Sequence, residues 1–162
     1  MSEDEFVGVV TEGQSLAPPY FAYTAGTNRR QRDLLDDHEE PIHLDLAGLE
    51  RSLHEEAVVL DGRSPETFAS GHLRGSVIVG LDGRFAEYAG DAIRPGQPIV
   101  VVAEAGREAE AKVRLARIGF DRVRGAVVDV ERVLAERPGL DLQGGYDAWA
   151  HAGLPKAFLE LG

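Results

Sequence analysis

The chain has 162 residues, of which 43% are hydrophobic and 28% are charged, a composition typical of a globular protein with one buried core. Its 17 Lys and Arg against 28 Asp and Glu give a net charge of −11, which argues against nucleic acid as a partner. Cysteine is absent, and this excludes disulfides, thiolate metal sites and any cysteine nucleophile.

Two features of the sequence bear on location. No apolar run approaches the roughly 20 residues needed to cross a bilayer, and the negative charge disfavours an anionic membrane surface. Residues 1–5 are acidic, whereas a secretory signal begins with basic residues. We therefore expect no membrane association and a cytoplasmic location.

Residues 1–42 differ in character from the rest and are predicted to form an irregular N-terminal arm, with one α/β domain over residues 43–162. The pair Pro18-Pro19 argues against a regular helix at that point. Aromatic side chains would serve no purpose in a solvated linker, so Tyr20, Phe21 and Tyr23 predict that the arm lies against the domain or a partner. An unpacked arm would instead expose apolar surface and favour dimerisation.

After residue 41, helical and strand patterns alternate. Helices are predicted after the cap Asp45, after Ser64-Pro65, from Gly106 through Ile118, from Val130 to Glu136 and at 146–149; strands are predicted at 57–60, 77–79, 99–102 and 123–128. The helix after Gly106 is expected to carry the i,i+4 pairs Glu108–Lys112 and Glu110–Arg114. This alternation predicts a parallel central sheet with helices on both faces.

Ligands of such sheets bind at the carboxyl ends of the strands, where two loops stand out. The first covers residues 61–66, with residues 71–75 beyond it, and its candidate ligand-binding or loop-positioning residues are Asp61, Arg63, His72 and Arg74. The second covers residues 103–108 and leads into a helix N-terminus, where backbone N–H groups can hold an anion. The other histidines have no metal-ligand spacing: His38, His43, His54 and His151.

Several motifs along the chain occur in the order and spacing of one known family. They are Asp61-x-Arg63-Ser64-Pro65-Glu66-x-Phe68, Gly71-His72-Leu73-x-Gly75-Ser76, the strand at 99–102, Gly119-Phe120-x-x-Val123, and Gly144-Gly145-Tyr146-Asp147-Ala148-Trp149 with Gly153-Leu154-Pro155. Together they resemble rhodanese-like domains over residues 43–156. The stretch between Val123 and Gly144 is longer than in the family, which implies an insertion or an altered last βα unit.

The resemblance implies sulfur transfer through a cysteine persulfide in the second loop. When the glycine of the family loop is placed on Gly106, Ala103 takes the position of the cysteine, and a methyl group cannot act as a nucleophile. Glu108 then stands where the family often has an arginine. We therefore expect a degenerate active-site loop, with no catalytic residue, metal or cofactor in this chain; its residues are Ala103, Glu104, Ala105, Gly106, Arg107 and Glu108.

The arm carries a second resemblance. Phe6-Val7, Pro18-Pro19-Tyr20-Phe21 and Asn28-Arg29-Arg30 resemble the segment that joins a metallo-β-lactamase-fold domain to a C-terminal rhodanese-like domain lacking its cysteine. The parent proteins are similar to glyoxalase II and persulfide dioxygenases, whose iron or zinc is held by the other domain. This resemblance implies a hydrolase or sulfur-metabolism context and a partner domain in cis or in trans.

Three hypotheses about function follow. The first is a catalytically inactive rhodanese-like domain that serves as a scaffold or recognition module. The second is an enzyme without a thiol, with acid or base groups drawn from Asp61, Glu104, Glu108 and His72. The third is a stand-alone module that senses an anion or persulfide, which requires Arg63, Arg74 and Arg107 to converge on one pocket.

Overall fold

Helices and strands alternate along the chain as the sequence pattern predicts. The computed structural model describes residues 2, 19–28 and 39–142. The helices are α1 (Pro19–Asn28), α2 (Leu46–His54), α3 (Pro65–Ser70), α4 (Phe85–Ala92), α5 (Glu108–Arg117) and α6 (Val130–Glu136), with a 3₁₀ turn at Pro138–Leu140. The strands are β1 (Val58–Asp61), β2 (His72–Leu73), β3 (Val77–Ile78), β4 (Ile99–Val102), β5 (Val123–Val127) and β6 (Asp141–Leu142).

The central sheet is parallel, with the strand order β3-β1-β4-β5. β1 and β4 pair in register from Val58 with Ile99 to Asp61 with Val102. All four residues of β4 are buried, as expected for an apolar strand covered on both faces. β2 and β6 form a separate antiparallel pair.

Two apolar clusters cover the two faces of the sheet. Successive residues of a strand point to opposite faces, so Val101 belongs to one cluster and Val100 to the other. The first cluster includes Phe85 of α4 and Leu115 of α5, and the second includes Leu49 of α2 and Val133 of α6. The predicted α/β fold, with helices on both faces of a parallel sheet, is confirmed.

The predicted N-terminal caps Asp45 and Ser64 are confirmed, whereas the helix predicted from Gly106 begins at Glu108. Asp45 accepts a hydrogen bond from the Gly48 amide at 2.8 Å, and Ser64 accepts one from the Thr67 amide at 3.1 Å. Asp129 caps α6 in the same way through the amide of Arg132, at 2.9 Å. These side chains satisfy amides that the first turn of a helix leaves unpaired.

Part of the arm is helical, so the prediction that Pro18-Pro19 precludes helix at this point is wrong. α1 begins at Pro19, and proline suits the first position of a helix because its missing N–H has no partner there. Tyr20 lies in the first apolar cluster, and Thr24 donates a hydrogen bond from Oγ1 to the Ile118 carbonyl at 2.8 Å. The prediction that the arm lies against the domain is therefore confirmed for α1.

The predicted pair Glu108–Lys112 is wrong. Residues 39–44, which we call the strap, run along α5 and take both partners: His43 lies 3.0 Å from Glu108, and Glu39 lies 2.6 Å from Lys112. Glu108 and Lys112 are therefore each closer to a residue of the strap than to each other. The other predicted pair, Glu110–Arg114, is present at 3.1 Å.

Other predictions fall on residues that are not described. The predictions outside the described residues concern the arm motifs at 6–7 and 29–30, His38, the predicted helix at 146–149, the motif at 144–155 and His151. Among the helices of the described residues, none has the length and apolar character that crossing a bilayer requires.

Candidate functional site

The position assigned to the family's cysteine is part of the apolar core. Ala103 directly follows β4, at the carboxyl end of a central strand, and only 1% of its surface is exposed. It belongs to the same cluster as Leu60, Val101 and Phe85. A reactive group at this position has little access to solvent, and a methyl group contributes to packing instead.

The loop after Ala103 makes a tight turn into α5. The Arg107 amide donates to the Glu104 carbonyl at 3.0 Å, and the Ala111 amide donates to the Arg107 carbonyl at 3.2 Å. Gly106 has φ of +87°, a left-handed conformation that glycine adopts without strain. The loop is therefore a tight turn, with Ala105 and Gly106 exposed at its tip.

Carboxylates surround the guanidinium of the loop. Arg107 lies 3.0 Å from Glu110, 3.2 Å from Asp82 and 3.9 Å from Glu104. The hydrogen bond to Glu110 is the main reason why the pKa of Arg107 is raised, and burial opposes it. The positive charge that an anion would need in this loop is thus already balanced by protein groups.

Glu108 turns away from the loop and into the protein. Its side chain is 8% exposed, and its Oε1 lies 3.0 Å from Nε2 of His43, whose side chain is 55% exposed. Glu108 Oε2 is buried and has no hydrogen-bond partner among the described residues. The sequence pattern does not mark His43 as a site residue, because it lies 65 residues away and in no recognisable motif.

Asp61 and Arg63 form a buried ion pair at the end of β1. Arg63 donates from Nη2 to Asp61 Oδ2 at 2.7 Å and from Nε to Oδ1 at 3.0 Å. The same guanidinium donates to the Gly71 carbonyl at 3.0 Å and lies 3.7 Å from Glu131 of α6. This geometry ties the end of β1 to the end of α3 and to α6, as a loop-positioning pair would.

His72 and Arg74 lie beyond α3. His72 is buried, donates from Nδ1 to the Phe68 carbonyl at 2.9 Å and stacks on the Phe68 ring at 3.7 Å. The Arg74 side chain is exposed, while its amide donates to the Leu140 carbonyl at 2.7 Å. His72 is therefore held against Phe68 of α3, and the Arg74 side chain faces solvent.

The described contacts bring neither the candidate acid and base residues nor the candidate arginines together at one place. Among the acid and base candidates, Asp61 is held by Arg63, Glu108 by His43 and His72 by Phe68, each in its own place. The proposed cation set is divided as well, since Arg63 and Arg107 engage different carboxylates. Within the described residues, no three His, Asp or Glu side chains are placed to hold a metal.

Comparison with known proteins places this geometry in a family. Residues 45–152 match the model of the rhodanese-like domain. A metallo-beta-lactamase from Staphylococcus aureus subsp. aureus COL has a similar structure, with 20% identity, a TM-score of 0.61, and 78% of this chain and 35% of that chain covered. The Alr3790 protein from Anabaena sp. has 19% identity and a TM-score of 0.53, with 68% of this chain and 87% of that chain covered. No curated protein matches.

The chain spans about a third of the length of the S. aureus protein. Identities this low indicate a shared fold alone.

Proposed function

This chain belongs to the rhodanese-like domain family, and from that premise we propose that it is a member without sulfurtransferase activity, serving as a scaffold or recognition module for a metallo-β-lactamase-fold domain. The observation that carries the proposal is Ala103, a buried methyl group at the position of the family's nucleophile. No cysteine elsewhere in the chain can take its place.

The charge of the loop supports the same conclusion. Sulfur transfer through a persulfide requires a thiolate, and its common donor, thiosulfate, is an anion. Glu104 adds negative charge to the loop, and the guanidinium of Arg107 is already shared among carboxylates. The loop thus lacks both the nucleophile and an unbalanced positive charge.

The role as a module is supported by the structural likeness to the S. aureus metallo-beta-lactamase, of which this chain covers 35%. α1 packs on the domain through Tyr20 and Thr24, so a domain joined through the arm would be held at a defined place. In this proposal any metal, any hydrolase activity and any link to sulfur metabolism belong to the partner domain, and the assembly is cytoplasmic.

The first experiment measures sulfur transfer from thiosulfate to cyanide by the purified chain, with thiocyanate as the readout. We expect a rate equal to that without protein. A rate above that background, lost again in a heat-denatured sample, would overturn the proposed inactivity.

The second experiment measures the mass of the native protein in its source cells with an antibody against this chain. A band well above the 17.5 kDa of the chain supports a partner domain in cis. A band at 17.5 kDa, with no metallo-β-lactamase-fold protein recovered by crosslinking, would contradict the module proposal while leaving the proposed inactivity intact.

A further inference from the structure

The strap connects the arm to the helix that follows the degenerate loop. Besides the pairs with Lys112 and Glu108, it forms two backbone hydrogen bonds with β5: the Leu44 amide donates to the Ala126 carbonyl, and the Ala126 amide donates to the Ile42 carbonyl, both at 2.8 Å. These contacts place the strap beside the edge of the sheet and over the first turn of α5.

Opposing contributions determine whether the strap stays closed. Two ion pairs and two backbone hydrogen bonds favour the closed position. Against them, Glu108 Oε2 is buried without a partner among the described residues, a cost that is removed where water can reach this oxygen. Ile42 and His43 are largely exposed, whereas Pro41 is buried and Leu44 is half-buried. A segment held by so few contacts at the edge of a sheet can open locally while the sheet stays folded.

We propose that the strap is a latch, with the contact between His43 and Glu108 as its lock, and that its opening loosens the loop at 103–108 and the first turn of α5 while the sheet stays folded. Glu108 is both the last residue of the loop and the first residue of α5. The residue that pairs with the strap therefore also forms the end of the loop. A partner that drew the arm away would thereby change the loop.

This inference deepens the proposed module function by naming how the arm acts on the loop, but its test involves only the chain itself. A failed latch would leave the proposed inactivity untouched, and sulfurtransferase activity would leave the latch untouched. The two proposals therefore fail separately.

The experiment is amide hydrogen exchange measured by NMR on the full chain. Leu44 and Ala126 report on the strap, and Arg107 and Ala111 report on the loop and the first turn of α5. Gly62, whose amide donates to the Val102 carbonyl at 2.8 Å, reports on the sheet. In the wild type, we expect the first four amides to share one opening that requires less denaturant than the opening at Gly62.

The variant His43→Ala leaves the Glu108 carboxylate buried without its donor in the closed state. We expect all four latch amides to exchange about tenfold faster or more, with Gly62 changed less than about twofold. The double variant His43→Ala/Glu108→Ala removes the buried charge as well, and its strap amides should exchange more slowly than those of His43→Ala. The matched control is Arg132→Gln, which breaks an exposed ion pair with Glu136 on α6 and should leave all five amides at wild-type rates.

Three results would overturn the latch. Faster exchange at Leu44 and Ala126 with unchanged Arg107 and Ala111 would mean that the strap does not act on the loop. Equal acceleration at Gly62 would mean global unfolding. If His43→Ala fails to fold, amide exchange of the wild type at increasing denaturant still tests the proposal. Strap and loop amides that open only together with Gly62 in that series would contradict a latch.

Discussion

Tyr20 of α1 lies directly over Gly90 of α4. A Cβ at residue 90 would overlap the Tyr20 ring at less than van der Waals distance, so this approach of the two helices requires glycine. Tyr20 is only 6% exposed and shares its cluster with Phe85 and Ala89 of α4. The arm helix therefore contributes to the core of the domain through one close contact.

That contact predicts opposite effects for two Gly→Ala substitutions. Gly90→Ala gains roughly 1 kcal/mol of helix propensity but forces Tyr20 out of its site, and overpacking of this kind costs about 1–3 kcal/mol. We expect net destabilisation, measured as the free energy of unfolding in urea. Gly26→Ala in α1 is the matched control, because no atom lies within 4 Å of the added methyl group; it should stabilise by up to about 1 kcal/mol. Equal effects at both positions would contradict the proposed packing.

Restoring a cysteine at the family position should not restore sulfur transfer. Ala103→Cys places the thiol in the core, where burial disfavours the thiolate, beside a loop whose guanidinium is already neutralised. We expect no thiocyanate above background and slow reaction with a thiol reagent. Ala105→Cys, two residues away on the exposed tip of the loop, is the control and should react rapidly. Sulfur transfer by Ala103→Cys alone would show that the loop needs only its nucleophile.

The buried pair of Asp61 and Arg63 should show strong coupling in a double-mutant cycle. Removal of either partner leaves a buried charge uncompensated, so Asp61→Ala or Arg63→Ala is expected to cost about 3–5 kcal/mol. The double variant should cost clearly less than the sum of the two single variants. Urea unfolding of the four proteins gives the coupling energy, and simple additivity would mean that the pair does not hold the loop.

Local signals in the sequence predicted most of the fold. Asp45 and Ser64 cap helices through hydrogen bonds to residues three positions later, and the apolar run at 99–102 forms a buried strand. These features depend on neighbours in the chain, so the residue types alone indicate them.

The elements that the sequence does not predict depend on distant contacts. α4 has no side-chain cap and contains Gly90, and it is stabilised by burying Phe85 and Ala89 against other elements. The site likewise has residues that the sequence predicts and contacts that it does not. Glu108 looks like an ordinary first-turn carboxylate, and only the folded chain brings His43 to it in place of Lys112. The residues of the loop were thus predictable, but not the partners that neutralise or bury them.

The burial of Tyr20 leads us to expect a loss of stability at alkaline pH. Its pKa is raised, first by burial and then by the nearby carboxylates of Glu87 and Asp91, with Arg84 opposing them. In the unfolded chain the phenol titrates near pH 10. Above that pH the unfolded chain loses this proton before the folded chain does, so the stabilisation is complete below pH about 10 and is lost as the pH rises towards the folded-state value.

The test compares the wild type with Tyr20→Phe, which keeps the ring and removes the titrating group. We expect the free energy of unfolding of the wild type to fall relative to that of Tyr20→Phe between pH 9 and pH 11, because only the wild type carries this phenol. Urea unfolding at each pH gives the difference, and absorbance of the phenolate follows the titration. Parallel curves for the two proteins would mean that Tyr20 titrates alike in the folded and unfolded chains, contrary to its burial between α1 and α4.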